Sequence, residues 1–214
     1  MTDRLPSRHQ SQLWLLQWAW LALFWGVLAW SAIAPRDRLT WWLEVAPALA
    51  GFLVLAGTRR SFPLTPLAYT LVLLHCLILM IGGHYTYAEV PLGDWLREAF
   101  GQDRNNYDKL GHFAQGFVPA ILARELMIRL RIVLRPAWRG FLVVCVCLAI
   151  SAAYELLEWV AALVSAQAAD AFLGSQGYAW DTQSDMAFAL LGALLALVLL
   201  GRWHDRQLAR LSRG

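Results

Sequence analysis

The sequence predicts an all-α polytopic membrane bundle of six transmembrane helices with both termini in the cytoplasm. Three observations predict it. Of 214 residues, 59% are hydrophobic and 15% charged, with a mean hydropathy of +0.47, a composition outside the range of ordinary soluble domains. Apolar stretches long enough to cross a hydrocarbon core of ~30 Å recur six times. The arginines crowd into alternate connections between those stretches.

The first span covers about residues 13–34. Arg4 and Arg8 precede it, and Ala32, Ile33 and Ala34 imitate a signal-peptidase site. Pro35 at the next position disfavours cleavage and the run exceeds a signal core, so the segment is expected to stay as a helix. Spans at about 41–57 and 67–83 follow. Residues 84–107 form the longest polar connection, and within it Leu92, Trp95, Leu96, Ala99 and Phe100 recur at helical spacing. That pattern fits a short amphipathic helix lying on the outer interface as a lid, with a plain structured loop the near alternative. The remaining spans cover about 110–128, 140–164 and 183–201. Gly174, Gln176 and Gly177 suit a turn before the last helix, which places Asp181 at a helix N-terminus where it can act as a cap.

Orientation follows from the positive-inside rule. With the N-terminus inside, thirteen of the eighteen basic residues fall on the cytoplasmic side, and only Asp3, Glu125 and Asp205 of the fifteen acids accompany them. The basic isoelectric point therefore describes loops facing anionic headgroups. It is not a nucleic-acid footprint. Trp14, Trp30, Trp41, Trp42, Trp138, Trp159, Trp180 and Trp203 fall near span ends, as an interfacial aromatic belt requires. Cys76, Cys145 and Cys147 lie in apolar runs and suggest buried thiols with no disulfide framework.

Chemistry concentrates in three helices. Ionisable groups inside a membrane cost at least ~2.5–3.5 kcal/mol each when unpaired, and so mark functional sites. Asp108, His112 and Gln115 share one helical face, Ser151, Glu155 and Glu158 a second, and Asp181 and Asp185 a third. At ~1.5 Å per residue, Asp108 and Asp181 stand at the outer boundary, His112 and Asp185 lie ~6 Å deeper, and Glu155 and Glu158 lie ~22 and ~27 Å along an outward-running span. All six acidic and imidazole groups therefore occupy one slab. Lipid cannot solvate them, so the three stripes are expected to meet around a polar chamber open to the outside.

Five close carboxylates need protons, cationic partners or a metal. Internal arginines look scarce and Lys109, adjacent to Asp108, is expected to point elsewhere. A divalent ion is thus the expected cofactor, held by His112, Glu158, Asp181 and Asp185, with Zn, Mg, Mn and Fe all compatible with oxygen ligands and one imidazole. Asp108 and Glu155 are the candidate catalytic carboxylates. The competing reading is a hydrogen-bonded network that only fixes helix packing. His75 reads as a neutral core histidine, and His84 and Glu44 as groups near the outer ends of their helices that either join the chamber or sit at the interface without function. Glu125 reads as the partner of Arg129 one turn on.

The segments NNYDKLGHFAQGFVPAILARELMIR (105–129), YELLEW (154–159) and LGSQGYAWDTQSDM (173–186) closely resemble the YjdF-like family of bacterial inner-membrane proteins. That resemblance implies a multi-pass inner-membrane location and no particular activity. More distantly, Asp108, Lys109 and His112, followed by Glu155, Glu158 and Asp185, are similar to the pattern of VanZ-like membrane proteins. Three functions compete. The first is a metal-dependent hydrolase or transferase acting on an amphiphilic or lipid-linked envelope substrate. The second is a proton- or cation-coupled transporter, and the third a non-catalytic envelope scaffold. The lipid bilayer is the one partner all three share.

Overall fold

The computed structural model describes residues 8–164 and 176–211; Asp3, Arg4 and Gly174 lie outside them. Seven α-helices and no strand are found among the described residues: α1 (Arg8–Ser31), α2 (Arg38–Thr58), α3 (Pro66–Tyr85), α4 (Pro91–Phe100), α5 (Tyr107–Arg129), α6 (Pro136–Val164) and α7 (Asp181–Leu211). A single 3-10 turn, Tyr87–Glu89, joins α3 to α4.

Local chemistry sets the ends. The Asp37 carboxylate caps α2 by accepting from the Thr40 amide at 2.7 Å, and Thr65 caps α3 with Pro66 in the first helical position. Gly101 takes a left-handed φ of 60° to stop α4. The last helix is longer than its apolar stretch. It runs to Leu211, because Arg202 to Arg210 continue the helical periodicity beyond the apolar segment.

Five of the described helices are long and apolar enough to cross a membrane: Trp14–Ser31, Arg38–Thr58, Pro66–Tyr85, Pro136–Leu163 and Asp181–Leu211. The expected sixth, α5, does not reach that composition because it carries Asp108, Lys109, His112, Arg124, Glu125 and Arg129. Its place in the bundle explains how it tolerates them. α5 packs against α3, α6 and α7, and α2 and α1 pack in turn on α3. Polar groups on α5 therefore meet protein on several sides.

The α5/α7 contact depends on small residues. A Cβ on Gly116 would overlap the Ala189 carbonyl, and one on Gly192 would overlap the Phe113 carbonyl, so the two backbones approach as closely as glycine allows. Ala189, Ala193 and Ala196 are fully buried along the same seam. Around it, Val45, Met80, Val118, Ile121 and Val143 form the apolar core. Trp20, Phe24 and Phe52 stack at 5.5 and 4.8 Å between successive centroids to tie α1 to α2.

Hydrogen bonds define two ends of the bundle. At one, the Arg36 amide donates to the His84 carbonyl at 2.9 Å, and Asn105 exchanges bonds with Gln176 at 3.2 and 2.8 Å. This is the acidic end. At the other, the Thr65 amide donates to Glu125 at 3.0 Å and the Leu67 amide to Gln207 at 2.9 Å. α5 runs from the first end to the second. Trp14, Trp30, Trp42, Trp138, Trp159, Trp180 and Trp203 are exposed near helix ends, but Trp41 is not: it is buried and donates to Ser31 Oγ at 3.1 Å. Its indole is a core strut between α1 and α2, outside the aromatic belt.

Candidate acid–imidazole site

The loop before α5 positions the site. Asn105 is almost completely buried: its side-chain amide donates to the Val90 carbonyl at 2.9 Å while its Oδ1 accepts from the Tyr107 amide at 3.0 Å. Gly93 leaves the space Asn105 occupies, since a Cβ there would overlap Oδ1. Tyr107 then anchors the first turn of α5 by donating to the Ile78 carbonyl at 3.1 Å. The start of α5 is thereby fixed against α3 and α4, and Asp108, Lys109 and His112 follow within its first two turns.

The three stripes do meet. His112 Nε2 lies 3.4 Å from Asp108 Oδ1 on its own helix and 3.7 Å from Glu155 Oε1 on α6. Ligand atoms of Asp108, His112 and Asp185 all lie within 4.8 Å of one another. Glu158 is buried within electrostatic reach of Asp108, Glu155 and Asp185. Gln115 Oε1 sits 3.2 Å from His112 Nδ1. An Nδ1–H donating there leaves Nε2 facing the carboxylates as an available ligand or proton carrier.

Lys109 overturns one expectation. Instead of pointing away, its ammonium donates to Asp181 Oδ1 at 2.7 Å and to Asp185 Oδ1 at 2.5 Å. The reason is that α5 is covered on the α7 side as well, so a residue 100° round the helix from Asp108 still faces protein. A second cation enters from the loop: Arg104 Nη2 donates to Asp181 Oδ1 at 2.7 Å, and its guanidinium lies over the Tyr178 ring at 4.5 Å. Asp181 stands in the first turn of α7. It joins two cations.

Of the two places open to Glu44, the structure shows the one beside the site. It is buried on α2 and accepts from the Tyr154 hydroxyl at 2.9 Å, and Tyr87 reaches the same carboxyl. Burial, with Glu44 beside it, pushes the Tyr87 phenol well above its ordinary range, so Tyr87 remains a protonated donor. Gly82 and Gly111 make room for that ring, each lacking a Cβ that would strike it. Six buried carboxylates thus face two permanent cations and one imidazole. Glu155 Oε1 has no hydrogen-bond partner among the described residues, nor has the buried Ser151 hydroxyl one turn away. An orphaned carboxylate oxygen in this setting calls for a proton or a cation.

Sequence reasoning missed Lys109, Arg104 and Tyr154 and left Glu44 open. A usable signal for the first was the composition of α5, too polar on several faces for any helix touching lipid. Glu44 gave only a weak one, a lone acid one turn into an apolar span. Glu125 pairs with Arg129 at 2.9 Å as expected. It is also wholly buried in a second network, accepting from Thr65 Oγ1 at 2.7 Å and lying 3.0 Å from His204 Nε2.

Residues 16–206 match the family described as "Predicted membrane protein (DUF2238)". The chain is 55% identical over 184 residues to the inner membrane protein YjdF of Escherichia coli strain K12, covering 86% of this chain and 88% of that one. No solved structure matches it. With a family match across nearly the whole chain, a relative this similar and several membrane-length helices, the protein belongs to the DUF2238 family of YjdF-like membrane proteins and resides in the bacterial inner membrane.

Proposed function

We propose that the acidic end holds a divalent cation on Asp108, His112 and Asp185 and uses it to activate water for hydrolysis or group transfer on an amphiphilic envelope substrate. One observation carries the reading: three ligand atoms of suitable type within 4.8 Å of one another, beside a buried Glu155 oxygen without a hydrogen-bond partner among the described residues. Small side-chain rotations bring such atoms to the ~2.0–2.2 Å that a bound ion needs. The geometry redistributes the roles expected from sequence. Asp108 joins the ligands, whereas Asp181 is taken by Arg104 and Lys109. Glu155 is then the general base, its Oε1 positioned to accept the proton of a water bound beside His112. Glu158 adds negative charge that favours the cation.

The fourth membrane crossing in this reading is α5, giving six with both termini in the cytoplasm. Its 23 residues span ~35 Å at 1.5 Å per residue, and it joins the two ends of the bundle. Arg59, Arg60, Arg131, Arg135, Arg202, Arg206 and Arg210 gather at the end opposite the acids, which supports a cytoplasmic assignment there. The acidic site then opens toward the outer leaflet beneath α4, whose exposed Leu92, Trp95 and Phe100 suit the membrane interface and the docking of a lipid-like substrate. A transport path has less support. Between Gln115 and Glu125, ~15 Å of α5 is packed with Val118, Ala120 and Ile121 against Ala193 and Ala196.

Metal analysis of the purified protein tests the proposal. Wild type should carry about one divalent ion per chain, lost in His112→Ala and Asp185→Asn and kept in Asp181→Asn. Wild-type protein prepared with supplemented metals and found to hold none would overturn it.

A further inference from the structure

We propose that a groove at the arginine-rich end, between α5, α6 and α7, binds the headgroup and upper acyl chain of an anionic phospholipid. The groove encloses about 340 Å³ and is lined by Arg124, Arg139 and Arg202, with Asp205 beside them. Three guanidiniums against one carboxylate leave two positive charges for a phosphodiester. The arginines are not equivalent. Arg124 is held by Asp205 at 2.6 Å and by His204 at 3.1 Å, so it forms a fixed wall. Arg139 has one long bond, 3.4 Å to the Val133 carbonyl, and both it and Arg202 line the cavity free to close on a ligand.

The remaining walls fit a lipid better than a free anion. Val143, Leu197 and Val198 continue the groove as an apolar surface, and Val198 is exposed to the surroundings. Gly140 and Gly201 also line it, and a Cβ on either would meet nothing within 4 Å. Neither glycine is needed for a close helix contact; what their missing side chains leave is the cavity itself. Exposed Trp138 and Trp203 place this level at the headgroup region. The start of α6 at Pro136 lends its positive dipole end to the same space. Basic pockets between membrane helices at this depth recognise anionic headgroups. The inference is independent of the cation site, which lies at the opposite end of the bundle.

The test is native mass spectrometry and lipid-dependent thermal stability of the detergent-purified full chain. Phosphatidylglycerol or diphosphatidylglycerol should bind and raise the melting temperature, with phosphatidylethanolamine and inorganic phosphate far weaker. Arg139→Gln with Arg202→Gln should weaken binding roughly 25-fold, about fivefold per arginine. Gly201→Leu puts a side chain into the groove without altering charge, from a Cβ position with no neighbour within 4 Å, and should abolish binding. Equal binding of phosphatidylethanolamine, or unchanged binding in both the double variant and Gly201→Leu, overturns the proposal. Inorganic phosphate competing as well as the lipid overturns the lipid assignment in favour of a simple anion site.

Discussion

Lys109→Met should be the most damaging single change in the acidic site, and its rescue should be selective. At 2.5 Å from Asp185 Oδ1, the ammonium contributes a gross attraction of about 6–7 kcal/mol at an effective dielectric near 20. Most of that is offset by desolvating both ions. Removing the lysine leaves the desolvation cost without the attraction, a loss of about 3–5 kcal/mol for an uncompensated buried charge. Asp181 keeps Arg104 at 2.7 Å, whereas Asp185 is 2% exposed and loses its one side-chain hydrogen-bond donor among the described residues. Adding Asp185→Asn to Lys109→Met should therefore recover about 2–3 kcal/mol, well beyond additivity. Adding Asp181→Asn should recover little. Reversible unfolding of the protein in mixed micelles, monitored by tryptophan fluorescence, measures the three variants against the wild type. A loss below about 1 kcal/mol for Lys109→Met, or equal rescue by both asparagines, would refute the reasoning.

Other expectations rest on separate parts of the bundle. Gly192→Leu should separate α5 from α7 by forcing a side chain into the Phe113 carbonyl, with a cost of about 3 kcal/mol or more that appears as loss of monodisperse protein in size-exclusion chromatography. Glu125→Ala strips Thr65, Arg129 and His204 of a common partner and should cost about 3–5 kcal/mol in the same unfolding assay, while Arg97→Ala, which breaks only solvent-accessible pairs with Asp94 and Glu98, should cost under about 1 kcal/mol. A cysteine placed at Asp103 should react with an impermeant thiol reagent from outside the cell, and one at Arg131 only after the membrane is opened. The same accessibility at both positions would exclude α5 as a crossing.

Much of the molecule was legible from periodicity and composition. Apolar run length sets where helices of membrane dimension occur, because every backbone polar group inside lipid must be satisfied within the helix. Helical spacing likewise shows that Asp108 and His112, or Ser151 and Glu155, share a face. Arginine placement separates the two ends of the bundle. Even the short α4 is visible as a stripe of Leu92, Trp95 and Phe100.

Those properties are local, fixed by the 3.6-residue turn and by the solvent a segment can tolerate. Which face meets which neighbour is different, since it depends on how the helices share space. Assigning one inward face to α5 left Lys109 outside the site; enclosing that helix between α3, α6 and α7 brings the lysine onto Asp181 and Asp185. Glu44 reaches Tyr154 across 110 residues, and His204 reaches Glu125 across 79. Sequence alone determined the helices, their membrane character and the acidic stripes. Only tertiary packing decided which charges neutralise one another, because an ion pair is a property of two surfaces brought together and neither surface encodes its partner.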